Sequence, residues 1–100
     1  MLPPDQATSP RKRIDGPVNV LFTSRDPYSW SIARLRWCSE RTDGWRDVVG
    51  IRWNGHVDDP DDMGNPRSHG QGTWFILPDI VGRLLASSIW VLDALDGSAP

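Results

Sequence analysis

Leu35-Arg36-Trp37 and Ile51-Arg52-Trp53 are near-copies of one pattern, an aliphatic residue and a tryptophan two positions apart with arginine between them. Side chains of an extended strand alternate between faces, so each copy reads as a strand with two large apolar groups on one side and a cation on the other. Around the first copy, the alternation from Ser31 to Ser39 turns Ala33, Leu35 and Trp37 inward and Arg34, Arg36 and Cys38 outward. Around the second, Asp47 to Asn54 turns Val49, Ile51 and Trp53 inward and Arg52 and Asn54 outward. Arg41-Thr42-Asp43-Gly44 lies between them with an Asp-Gly turn signal, and Asn54-Gly55 supplies another at the far end, so the two copies are expected to form a hairpin.

Working outward, Val18 to Thr23 is β-branched and ends at the polar Ser24-Arg25-Asp26-Pro27, the mark of a strand followed by a turn. Thr73-Trp74-Phe75-Ile76-Leu77 is a continuous apolar run between Gly72 and Pro78, the signature of a central strand buried on both faces. From Ile80 to Leu95 apolar residues recur at helical spacing and Gly97 is placed to end a helix. One continuous helix is preferred; the alternative breaks it near Ser87-Ser88 and makes Ile89 to Asp93 a strand. His56 to Gly72 is rich in aspartate, proline and glycine and reads as a long surface loop. Residues 1–17 hold four prolines and no periodicity, which predicts a mobile N-terminal tail ahead of one domain over 18–97. The expected class is α+β, a small, mainly antiparallel sheet of three to four strands with a C-terminal helix packed on one face.

One hundred residues support one core, and with 38% apolar residues the six tryptophans must supply much of its buried area. The net charge of −2 argues against a dedicated nucleic-acid binder, which needs a basic surface to attract phosphate. Cys38 is the only cysteine, so no internal disulfide can form, and a reducing, cytoplasmic setting is expected. No apolar stretch has the length of a membrane span, and none follows Arg11-Lys12-Arg13 as a signal peptide would require.

Candidate chemistry is sparse. Arg34, Arg36 and Arg52 would form one guanidinium patch on the outer face of the hairpin, suited to phosphate, carboxylate or a nucleic-acid strand; the plainer alternative is an ordinary solvated strand face. The loop offers His56, Asp58, Asp59, Asp61, Asp62 and His69 as oxygen and imidazole donors. Counted from Asp59 as a calcium-binding hand, however, Met63 and Gly70 occupy two ligand positions, so no metal is expected. A Cys38–histidine pair has no local signature. Gly64-Asn65-Pro66-Arg67-Ser68-His69-Gly70-Gln71-Gly72 lacks the glycine-lysine of a phosphate loop and leads into a strand, so it reads as a shaped turn.

The combination of Ile51-Arg52-Trp53-Asn54-Gly55, Gly64-Asn65-Pro66 and Gly72-Thr73-Trp74-Phe75-Ile76-Leu77-Pro78 resembles small bacterial proteins carried on integron gene cassettes, over about a third of the chain. The resemblance implies a mobile-element origin and an accessory role, with no mechanism to transfer. The favoured expectation is a non-enzymatic binding module that engages a protein or small-molecule ligand through exposed tryptophan and arginine, with Arg34, Arg36, Arg52, Trp53, Arg67, His69 and Trp74 as candidate ligand-binding residues and no cofactor. The alternatives are nucleic-acid binding through the arginine stripe and the Arg11-Lys12-Arg13 arm, and a small hydrolase or metal-dependent enzyme. A sheet this small leaves a face and two edges to cover, so a homodimer is expected.

Overall fold

The computed structural model describes residues 1–39 and 44–97. Its central feature is the hairpin of two long strands, β2 (Tyr28–Cys38) and β3 (Trp45–His56), preceded by β1 (Ile14–Thr23). The turn signal at Asp43-Gly44 falls largely on residues 40–43, outside the described residues, while Cys38 and Trp45 on either side of it are paired. Two short strands, β4 (Arg67–Ser68) and β5 (Gln71–Gly72), form a separate hairpin within the loop that follows β3. β6 (Phe75–Ile76) then joins β3, giving an antiparallel four-stranded sheet in the order β1-β2-β3-β6. The chain closes with α1 (Asp79–Ser87) and α2 (Ile89–Gly97), so the expected α+β architecture, a small antiparallel sheet with helix packed on one face, is what forms.

The strand register decides what each face carries. From Trp30 to Cys38, every β2 residue pairs with a β3 residue of opposite parity, Leu35 with Val48 and Ser31 with Arg52. The two tryptophan patterns therefore point to opposite faces. Ala33, Leu35 and Trp37 share one face with Val48 and Arg52, while Val49, Ile51 and Trp53 share the other with Trp30 and Ile32. Each face carries a core over part of its area. On the first, Ile14, Val18, Ala33, Leu35 and Val48 form a core with Ala7 and Trp74, and Leu2 packs against it. On the second, Phe22, Ile32 and Val49 pack beneath Leu85, Ala86, Ile89 and Leu92 of the helices. The helix approaches closely because it presents Gly82, where a Cβ would lie 2.9 Å from Cβ of Val49.

Three expectations are corrected. The N-terminal segment, expected as a mobile tail, lies across the first face: Ala7 is fully buried, Leu2 N–H donates to the Asn54 carbonyl at 2.9 Å, and β1 begins at Ile14. Its few apolar side chains suffice because they close one patch of an existing core. The run Thr73 to Leu77 is not a central strand; only Phe75 and Ile76 pair, at the edge of the sheet beside β3, with Trp74 in the first core and Leu77 against the second. The C-terminal helix is broken at Ser88, yet the second half remains helical.

Candidate functional site

Three adjacent strands bring four large apolar side chains together on the second face. Trp30 of β2 lies opposite Trp53 of β3, Ile51 lies two residues from Trp53 on the same side, and Phe75 of β6 lies opposite Ile51. Directly opposed residues have Cβ atoms about 5 Å apart, so this register alone forms an aromatic floor. Asn65 and Pro66 form a wall, held by reciprocal backbone bonds between Trp53 and Asn65 at 2.7 and 2.9 Å. The result is a cleft of about 540 Å³. Trp53 is 52% exposed and Phe75 63% exposed, so both present ring surface to solvent, while Trp30 is anchored against Phe22 with ring centroids 5.0 Å apart. Apolar walls with a few fixed polar groups are the usual character of a ligand site.

Behind the cleft, on the opposite face of the same strand, Arg52 is only 2% exposed. Its Nη1 donates to the Thr73 carbonyl at 2.6 Å and to the Pro66 carbonyl at 3.4 Å, its Nη2 donates to the Met63 carbonyl, and its Nε donates to Asn54 Oδ1 at 3.3 Å. Asn54 in turn donates from Nδ2 to the hydroxyls of Ser29 and Ser31 at 3.0 and 2.8 Å. Burial pulls the Arg52 pKa down to about 10, which still leaves it charged at neutral pH. Arg52 is thus an internal staple that ties the loop 63–73 to the sheet, with its donors turned to carbonyl oxygens rather than to a ligand.

The remaining candidates scatter. Arg34 and Arg36 share the second face, but Arg36 Nε lies 3.6 Å from Asp15 Oδ2, and Arg52 on the other face separates the anticipated stripe. Arg67 sits in β4, and His69 with φ 52° and Gly70 with φ 77° form the two-residue turn into β5, so His69 serves the turn geometry. Trp74 is buried and donates from Nε1 to the Ala7 carbonyl at 2.7 Å. Of the seven candidates, Trp53 and Arg52 border the cleft. Trp30, Ile51, Pro66 and Phe75 were missed as site residues, because alternation within one strand does not say which faces of neighbouring strands coincide.

The structure does not bring Cys38 and His56 together. Cys38 and His56 end opposite ends of the β2–β3 ladder, paired with Trp45 and Tyr28, about 30 Å apart at the usual rise per residue. The loop carboxylates turn to their own backbone: Asp59 Oδ1 accepts from Asp61 N–H at 2.9 Å, and Asp62 accepts from the N–H groups of His56 and Gly64 at 2.9 and 3.0 Å. Those two backbone bonds hold the Asp62 pKa below the ordinary carboxylate value. Among the described residues, no three histidine, cysteine or acidic side chains are grouped to hold a metal ion, and no helix is long and apolar enough to cross a membrane. The sequence matches no family model and no curated protein, and the fold matches no solved structure.

Proposed function

We propose that the protein is a non-enzymatic binding module whose site is the cleft floored by Trp30, Ile51, Trp53 and Phe75. The observation that carries this reading is the continuity of aromatic surface across β2, β3 and β6 beside a rigid, proline-bearing wall, with no cluster of titratable groups among the described residues converging on it. The ligand class is a flat, largely apolar small molecule or an apolar peptide side chain, recognised by stacking on the exposed indole of Trp53 and ring of Phe75. Arg52 supports the site from behind by fixing the wall.

The test is fluorescence titration and thermal shift with an aromatic compound set, in parallel with short oligonucleotides and divalent cations. Saturable binding of an aromatic compound, weakened at least about 30-fold by Trp53→Ala in a chain that still melts cooperatively, is the expected result for a central aromatic contact. Binding that Trp53→Ala leaves intact would overturn the assignment. Oligonucleotide binding that collapses with added salt would instead favour the nucleic-acid alternative.

A further inference from the structure

The helical spacing of the C-terminal segment splits into two stripes. Gly82, Leu85, Ala86, Ile89 and Leu92 turn to the sheet or lie against it. A second stripe faces away: Ile80, Leu84, Trp90 and Leu95 are 81, 65, 73 and 64% exposed. Ile80 and Leu84 lie one turn apart on α1, and on α2 the half-buried Val91 lies between exposed Trp90 and Leu95 around the helix, so apolar side chains run along the outer side of both helices. A helix layer apolar on both sides is the pattern of an element packed between two partners, and the sheet supplies one of them.

We infer that a second copy of this chain covers the outer face of α1 and α2, forming a two-fold dimer with the helices of both copies between two sheets. Three observations select this occupant. The four exposed side chains present on the order of 600 Å² of apolar surface, taking about 200 Å² for a whole indole and somewhat less for each aliphatic residue. That approaches the roughly 800 Å² per partner of a standard interface, with the remainder available from Val81, Val91 and Ala94 around them. The helices carry Asp79, Asp93 and Asp96 against Arg83, so their net negative charge disfavours an anionic lipid surface, which recruits helices edged with lysine and arginine. Arg83 is moreover engaged with Asp79 at 3.0 Å, and Asp96 accepts from Arg25 N–H at 2.8 Å, so these three charges have partners within the chain and the apolar stripe is the larger surface left to cover. A two-fold axis through such a stripe sets each side chain against the same patch, which needs no second sequence to evolve complementarity.

The test is sedimentation equilibrium over a range of roughly 1–200 µM, where micromolar dimers dissociate measurably. The expected native mass is twice the 11.2 kDa of the chain. Leu84→Glu and Trp90→Glu are each expected to weaken association about 100-fold or more, because each would bury an unpaired charge. Trp53→Ala, in the cleft, is expected to leave the mass unchanged, so the failure of this inference is separate from failure of the binding site. Folding of each variant is followed by circular dichroism. Should a variant not fold, a spin label on Ser87→Cys, an exposed polar position beside Leu84, is expected to give a defined distance between copies. A monomer mass throughout, a dimer that ignores both charges, or no intermolecular distance would overturn the inference. A monomer that binds neutral vesicles would assign the face to lipid instead.

Discussion

Replacing Arg52 with methionine preserves length and apolar stem while removing every donor of the guanidinium. In the native chain that group holds the carbonyls of Thr73 and Met63, shares the carbonyl of Pro66, and orients Asn54. A buried acceptor left without its donor costs about 1–3 kcal/mol. Pro66 O retains a bond from Thr73 N–H at 3.1 Å, so the main loss falls on Met63 and Thr73. Two orphaned carbonyls amount to roughly 2–6 kcal/mol, reduced by relief of the desolvated charge that depresses the Arg52 pKa, which leaves an expected loss of about 3 kcal/mol. For a domain of this size that lowers Tm by roughly 12–24 °C.

Urea unfolding followed by tryptophan fluorescence measures the loss directly, provided the slope with denaturant is unchanged. Arg52→Lys is expected to be nearly as harmful, because a single ammonium cannot span acceptors arranged for a planar fork. A coupled test uses Gly72, where an added Cβ would clash with Leu2 Cδ2 and lie 2.8 Å from Arg52 Nη1. Gly72→Ala must displace the guanidinium, so in the Arg52→Met background part of its cost should vanish, with a coupling of about 1 kcal/mol or more. A loss below about 1 kcal/mol in Arg52→Met, or strict additivity with Gly72→Ala, would refute the staple.

Further expectations follow from the same contacts. Asp62 has a depressed pKa in the folded chain, so its contribution is complete above the ordinary value of 3.8 and is lost as pH falls through the lower folded value. Thermal melts across acidic pH should therefore show a weaker acid dependence in Asp62→Asn than in the native chain; an identical profile would show that its two backbone bonds contribute nothing. Trp74→Phe should cost about 2 kcal/mol or more by chemical denaturation, since the smaller ring leaves a void in the first core and the Ala7 carbonyl loses its donor. His69→Asn should change stability by less than about 0.5 kcal/mol, because asparagine also tolerates a positive φ in a turn; a larger loss would mean the imidazole has a further role.

Much of the secondary structure was legible because it rests on local pattern. The alternation through Leu35-Arg36-Trp37 and Ile51-Arg52-Trp53 marked both long strands, and the run from Ile80 marked helix whatever the break at Ser88. Alternation states which residues share a face within one strand, but not which face of the neighbouring strand they join. That relation belongs to the register, and a change of one residue exchanges every side chain between faces. Hence Arg52, read as a surface cation, became the most deeply placed charge in the fold, while Ile51 and Trp53, read as core, became the cleft.

The tail and the edge strand failed for a related reason. Residues 1–17 are too poor in apolar groups to fold alone, yet Leu2 and Ala7 need only meet Trp74 and a strand already in place. Phe75 sits in an apolar run and is nonetheless exposed, because pairing at the sheet edge is limited to two residues. The sequence by itself determined the two long strands, the helical segment and the α+β class, which follow from composition and near-neighbour spacing. Only the tertiary structure decided the cleft, the arginine staple and the bare helical stripe, because each depends on which distant residues are brought opposite one another, and that is fixed by register and packing.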